Sequence, residues 1–292
     1  MGKSLADKFE AARSIFAEAD DALGFSLSRL CFEGPEEQLK LTENTQPALL
    51  AVSAAAFAVL REHDIEPDYV AGHSLGEYSA LVAAGALQFS DAVRLVRNRG
   101  RYMQEAVPAG EGAMAALLKL PAERLEPVLD EARQGEILSA ANLNSPDQVV
   151  IAGHTGAVER AIALAKSAGV RRAVLLSVSA PFHCALMAPA QQRLKADLDV
   201  TEFRDLRYPL INNWQAREIR TAEEARNSLY EQVPNPVRWM ESIQYLAANG
   251  VTRMIEVGPG TVLTGLLRNI DPSITALKFG EAADLEKLHA LA

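Results

Sequence analysis

Cysteine is almost absent from the 292-residue chain, with Cys31 and Cys184 alone. Two thiols cannot supply a disulfide framework or a cysteine-based metal centre, and their scarcity fits a reducing compartment, so a cytoplasmic protein is expected. Positive charge is short as well. Lys and Arg number 29 against 38 Asp and Glu, and the net charge of −9 argues against a surface built to neutralise nucleic-acid phosphates. No long hydrophobic run occurs. The longest, "ALLAVSAAAFAVL" at residues 48–60, falls short of the roughly 20 residues a membrane span requires. It reads instead as a buried helix opened by Thr45 and Pro47. The N-terminal "MGKSLADKFEAARSIFAEAD" lacks the apolar core of a signal peptide and reads as an amphipathic helix. Ala6 stands where an N-myristoylation signal needs Ser or Thr, which excludes that anchor. Internal repeats and low-complexity stretches are absent too.

What is present is ample material for a core, with 49% hydrophobic residues. Short apolar runs at residues 68–72 ("DYVAG"), 208–213 ("YPLINN") and 253–258 ("RMIEVG") neighbour helix-length segments, the rhythm of a parallel α/β sheet. The middle differs. From Gly112 the order is strand "GAMAALLKL", helix "PAERLEPVLDEARQ", strand "EILSAANL", turn "NSPD", strand "QVVIAG", helix "TGAVERAIALAKSAG" and strand "VRRAVLLSV". This βαββαβ order predicts a ferredoxin-like subdomain over residues 110–177, inserted into a large α/β domain formed by residues 1–109 and 178–292.

Chemistry concentrates at Gly72, His73, Ser74, Leu75 and Gly76. The pattern matches a nucleophile elbow, in which a strand turns sharply into a helix and the glycines make room for an exposed serine. "DYVAGH" supplies the strand and "LGEYSALVAA", ended by Gly85, the helix, whose N-terminus would face a developing oxyanion. A serine that merely caps the helix is the alternative. A nucleophile needs a base, and five histidines are available. His63 ends a helix, His154 lies in a "GHTG" turn, His289 is in the tail, and His73 leaves the turn in another direction from its neighbour. His183 lies where a strand ends, Pro181 breaks the chain and a helix begins, the place where α/β folds keep their chemistry. A structural histidine at a helix start is its alternative reading, and Cys184 reads as the apolar start of the same helix.

One arginine breaks a local rule. At helical spacing, Arg94, Arg97 and Arg101 fall on one half of the segment at residues 90–107, whereas Arg99 falls with Ala92, Val93, Val96, Gly100, Met103 and Val107. A partly buried guanidinium requires an anionic partner, either an internal Asp or Glu or the carboxylate of a substrate held in a bidentate fork.

Taken together, "GHSLGEYSALVAAGAL", "AVRLVRNRGRYMQEAVP", "GAMAALL", "NSPDQVVIAG", "APFHCALM", "NPVRW" and "EVGPGTVLTGL" resemble the malonyl-CoA:acyl carrier protein transacylase family. The resemblance implies a hydrolase-like α/β domain with a ferredoxin-like insertion, and malonyl transfer from malonyl-CoA to acyl carrier protein for fatty-acid synthesis, without cofactor or metal. By motif it gives Ser74 as nucleophile, His183 as base, Arg99 as the clamp on the malonyl carboxylate and the Leu75 N–H as an oxyanion donor. It gives Gln232 as the residue whose backbone carbonyl orients the histidine. Phe182, by analogy with acyltransferases of polyketide synthesis, narrows the pocket in favour of malonyl over methylmalonyl. Family members open with a strand and a Gly-Gln-Gly-Ser-Gln turn, whereas this chain begins Met1, Gly2, Lys3, so a chain lacking that strand and its glutamine is expected. A serine hydrolase, or an acyl-binding or carrier-protein-binding module without catalysis, remains the alternative. Arg171 and Arg172 are candidates for docking an acidic carrier protein.

Overall fold

The computed structural model describes residues 1–178 and 180–289. Its centre is helical. The helix Thr42–Glu62 buries Ala48, Leu50, Ala51, Val52, Ala55, Ala56 and Val59 completely, so it is wrapped on nearly every side, as its continuous apolar run demands. It begins at Thr42, earlier than Thr45 and Pro47 predict. Pro47 lies inside it, where the missing N–H leaves one backbone carbonyl in the first turns without its intrahelical donor. The helices Glu10–Leu23 and Phe89–Glu105 pack against this axis. The approach of the second is close at Gly100: a Cβ there would lie 2.6 Å from the Thr42 carbonyl oxygen. The N-terminal segment forms two helices rather than one, Lys3–Lys8 and Glu10–Leu23, separated by Phe9 in an extended conformation.

Nine strands occur among the described residues, in three sheets. β1 (Val70–Ala71), β6 (Leu210–Ile211) and β7 (Glu218–Ile219) form the first. β1 pairs parallel to β6 and β6 antiparallel to β7. β8 (Arg253–Val257) and β9 (Thr275–Phe279) form a separate parallel pair. The parallel pairings follow the rhythm of the sequence, but they do not join into one sheet. β1 and β8 each keep an edge without a ladder partner among the described residues.

The remaining strands make a four-stranded sheet: β2 (Gly112–Leu118), β3 (Leu138–Ser145), β4 (Gln148–His154) and β5 (Arg172–Leu175). The spatial order is β3-β4-β2-β5, antiparallel throughout. The helices Ala122–Arg133 and Thr155–Ser167 cover it through their own core, which includes Leu117, Leu129, Leu138, Ile151 and Val158. β3 runs two residues into the predicted turn and is bulged between Ala140 and Asn142. Beyond the bulge it reaches the rest of the chain, because Leu143 N–H donates to the Val237 carbonyl and Val237 N–H to the Ala141 carbonyl. The whole is a mixed α/β protein. No helix among the described residues is long and apolar enough to cross a membrane.

Candidate active site

β1 delivers the chain to Gly72, where a Cβ would fall 2.0 Å from the Gly76 carbonyl, so only glycine permits the turn. Ser74 then adopts φ 52° and ψ −106°, a conformation that a non-glycine residue holds only when its surroundings impose it. Asn213, in the loop beyond the end of β6 at Ile211, braces it. Its Oδ1 accepts the Ser74 N–H at 2.7 Å and its Nδ2 donates to the Gly72 carbonyl at 2.7 Å. The Ser74 side chain does not cap the helix Leu75–Ala83 that follows. Leu75 is the first residue of that helix, so its N–H has no intrahelical acceptor.

The Ser74 hydroxyl instead meets His183, whose Nε2 is 2.7 Å from Oγ. His183 is buried and also takes a positive φ, 57°. Its Nδ1 is 2.8 Å from the backbone carbonyl of Gln232. A carbonyl can only accept, so Nδ1 carries the proton and Nε2 is left to take one from Ser74. Burial, and secondly the charge of Arg99, push the imidazole down to about 3, which keeps it neutral at rest. Among the other histidines, His73 is turned away to the Asn144 Oδ1 at 2.8 Å, His154 Nδ1 accepts the Ile137 N–H at 3.0 Å, and His63 stacks edge-on against Phe9. The side chain of His289 lies outside the described residues. Cys184 is buried with its thiol pushed up to about 11 by burial, and it donates to the Pro181 carbonyl.

Arg99 is 2% exposed, although it carries a charge. Nη1 donates to Gln46 Oε1 at 2.6 Å, and Nη2 donates to both Gln232 Oε1 at 2.8 Å and Ser74 Oγ at 3.1 Å. All three partners are neutral, Nε has no partner, and no ion pair among the described residues includes this guanidinium. Burial lowers its pKa accordingly. No internal Asp or Glu among the described residues contacts it directly, although the charge of Glu77, reached through Gln232, acts on it at longer range.

Three further residues complete the site and escape sequence reading: Gln46, Glu77 and Asn213. Glu77 is fully buried. It accepts hydrogen bonds from the Ser228 hydroxyl, from the Asn213 N–H at 3.1 Å and from Gln232 Nε2 at 3.0 Å. Burial raises its carboxyl to about 7. Gln232 contributes its side chain as well as the carbonyl expected of it. Phe182 is half-buried beside His183 and packs between the central core and the cluster containing Met114 and Ala116. Arg171 and Arg172 are exposed at the β5 edge, near the exposed Leu175. No group of three or more His, Cys, Asp or Glu among the described residues could hold a metal ion.

Residues 1–275 match the acyl transferase domain family. The malonyl CoA-acyl carrier protein transacylase of Bacillus subtilis (strain 168) is 48% identical over 98% of this chain and 90% of its own length. Its counterpart from Escherichia coli (strain K12) is 47% identical over 96% and 91%. Among solved structures, an acyl carrier protein S-malonyltransferase from Vibrio cholerae superposes with a TM-score of 0.97 at 45% identity, covering 99% of this chain and 94% of that one. A malonyl-transacylase in complex with a type II PKS acyl-carrier protein gives a TM-score of 0.97 at 45% identity, covering 100% and 95%.

Proposed function

The chain belongs to the acyl transferase domain family, and on that premise we infer that it moves a malonyl group from malonyl-CoA to the phosphopantetheine thiol of acyl carrier protein in fatty-acid synthesis. One observation carries the reading: Ser74 Oγ lies 2.7 Å from a neutral imidazole nitrogen and 3.1 Å from a buried guanidinium that lacks a carboxylate partner. A serine and base would serve many acyl groups. A desolvated cation beside them with no carboxylate in direct contact, the nearest being Glu77 across Gln232, favours an acyl group with a carboxylate of its own.

Catalysis proceeds in two half-reactions. His183 Nε2 takes the Ser74 proton as Oγ attacks the thioester carbonyl, and the Leu75 N–H at the helix start receives the developing oxyanion. The tetrahedral species collapses, the carbon–sulfur bond breaks, and the imidazolium returns the proton to the departing CoA thiolate. A malonyl ester remains on Ser74, with its carboxylate on Arg99. The carrier-protein thiol then gives its proton to His183 and attacks the ester, and Ser74 leaves with that proton. The Gln232 carbonyl holds the imidazole through both steps. A serine hydrolase ordinarily sets a carboxylate against that nitrogen, so a carbonyl there favours transfer over hydrolysis.

Around this chemistry the four-stranded unit is a ferredoxin-like insertion at residues 110–177, and residues 1–109 with 178–292 form a hydrolase-like domain. Its strand order, β3-β4-β2-β5, supports that reading. Phe182 narrows the acyl pocket towards malonyl. Free, buried cysteines suit a cytoplasmic setting. Intact mass after mixing with malonyl-CoA tests the function: a malonyl adduct that clears on adding holo acyl carrier protein is expected. Free malonate would mean a hydrolase, and an unmodified chain with unreacted malonyl-CoA would mean a binding module.

A further inference from the structure

Glu77 lies in the first turn of the helix after Ser74, yet none of its three partners belongs to that turn. The donors come from Ser228, in the helix Ala222–Glu231, from Gln232, its C-terminal cap, and from Asn213, after β6. A fully buried carboxyl is costly compared with an apolar residue of the same size, so its retention calls for a role. The second contacts of these donors supply one. Asn213 holds the turn from both sides, through the Ser74 N–H and the Gly72 carbonyl. Gln232 orients His183 with its backbone carbonyl and Arg99 with its side-chain oxygen. Both residues meet at a single atom, Glu77 Oε2.

We propose that Glu77 is a positioning residue: through Oε2 it locks the strained serine turn to the loop that aims the base and the clamp. The role belongs to the acceptor oxygen and not to the charge. Oε2 can accept both N–H groups whether the carboxyl is ionised or protonated, and Oε1 faces a hydroxyl that can donate or accept. The Glu77 carboxyl bonds Ser228, Asn213 and Gln232 and reaches Ser74, His183 and Arg99 through them. Its loss would let nucleophile, base and clamp drift relative to one another, and displacements of that kind cost about 100-fold in rate. The inference rests on the reading of Ser74 and His183 above.

The test compares Glu77→Met, which fills the space without an acceptor, with Glu77→Gln, whose amide oxygen can replace Oε2 while its NH2 donates to Ser228. Single-turnover acylation is measured with malonyl-CoA and with acetyl-CoA, normalised to folded protein by near-UV circular dichroism, with Ser74→Ala alongside. Glu77→Met is expected to lose about 30-fold or more in kcat for both acyl groups, with KM within about threefold, because alignment and not carboxylate binding is lost. Glu77→Gln should recover all but about fivefold. A folded Glu77→Met with near-parental kcat, or a Glu77→Gln as impaired as Glu77→Met, overturns the proposal. If Glu77→Met does not fold, Glu77→Gln decides alone: recovery upholds the acceptor role and a loss of about 30-fold removes it. Ser74→Ala distinguishes the site from its support, since acylation surviving in that variant would refute Ser74 as the nucleophile rather than the role of Glu77.

Discussion

Arg99 donates to the hydroxyl of Ser74 at 3.1 Å, so the hydroxyl proposed as nucleophile sits between a guanidinium and the imidazole of His183. The guanidinium also depresses His183, for which it is the second cause of lowered basicity after burial. If Arg99 holds the acyl carboxylate as proposed, that pairing offsets the effect, and an acyl group that fits the clamp also strengthens the base proposed to act on it. Acetyl-CoA brings no such anion.

This coupling fixes a pH signature. His183 is held at about 3, so acylation should be insensitive to its titration between pH 6 and pH 8. In Arg99→Ala one depressing influence is gone, the folded pKa rises, and a larger fraction of the base is protonated at any given acid pH. The acid limb of acetyl-CoA single-turnover rates is therefore expected at higher pH in Arg99→Ala than in the parent. A limb that stays put, or moves to lower pH, contradicts the coupling.

Stability should carry a separate signature from Glu77. Its carboxyl rises from 4.5 to about 7 on folding, so its contribution is complete below pH 4.5 and lost as pH climbs through 7. That loss is on the order of 3 kcal/mol at most. His183 has the opposite sign: its contribution is complete above pH 6.5 and lost as pH falls towards 3. Glu77→Gln removes only the alkaline loss. Its Tm relative to the parent should therefore improve by several degrees between pH 5 and pH 8, whereas an equal gap at both values would show that Glu77 does not titrate as described.

Asn213 gives a prediction about the turn. Asn213→Ala leaves the Ser74 N–H and the Gly72 carbonyl without their partners and removes the support of a φ of 52°. Acylation is expected to fall about 100-fold or more for malonyl and acetyl alike. Relaxation of the turn without loss of rate would show the strained serine to be incidental.

The parts of this site differ in how legible they are. Ser74 is marked by a glycine-bounded strand-to-helix turn. His183 is marked by Pro181 before a helix, although β5 ends at Leu175, well before it, and the helix starts at Ala188, so the histidine lies in a connecting segment and not at a strand tip. Arg99 is marked by its place on the apolar face of a helix. The Gln232 carbonyl emerges only from resemblance, because a backbone oxygen leaves no trace in residue type. Glu77, Asn213 and Gln46 act through partners 53 to 155 positions away, and in the sequence they read as an ordinary helix acid, loop asparagine and helix glutamine. The fold shows the same division. Periodicity locates every strand of the four-stranded sheet, whereas β1 and β6, two residues each, are shorter than their apolar runs. β7 carries no apolar run of its own. The early start of the helix at Thr42 is hidden because its first turn is polar.

Carrier-protein docking is tested at the exposed β5 edge. Replacing Arg171 and Arg172 together by Glu should weaken transfer to acyl carrier protein several-fold at low salt while acylation by malonyl-CoA stays unchanged, because both side chains are exposed on the small sheet, where Arg172 lies opposite Leu118. Equal losses in the two half-reactions would place the docking surface elsewhere.

Selection of the acyl group is assigned to Arg99, and the malonyl-to-acetyl ratio of kcat/KM for Arg99→Ala tests that assignment. Removing one partner of a desolvated charge pair costs about 2 to 5 kcal/mol, roughly 30-fold to several thousand-fold. That loss should fall on malonyl-CoA alone, with acetyl transfer unchanged or improved and Arg99→Lys recovering only part of the ratio, since a point charge cannot reproduce the guanidinium fork. A ratio that stays at the parental value while both rates fall would make Arg99 a structural residue and contradict the assignment of malonyl specificity to it.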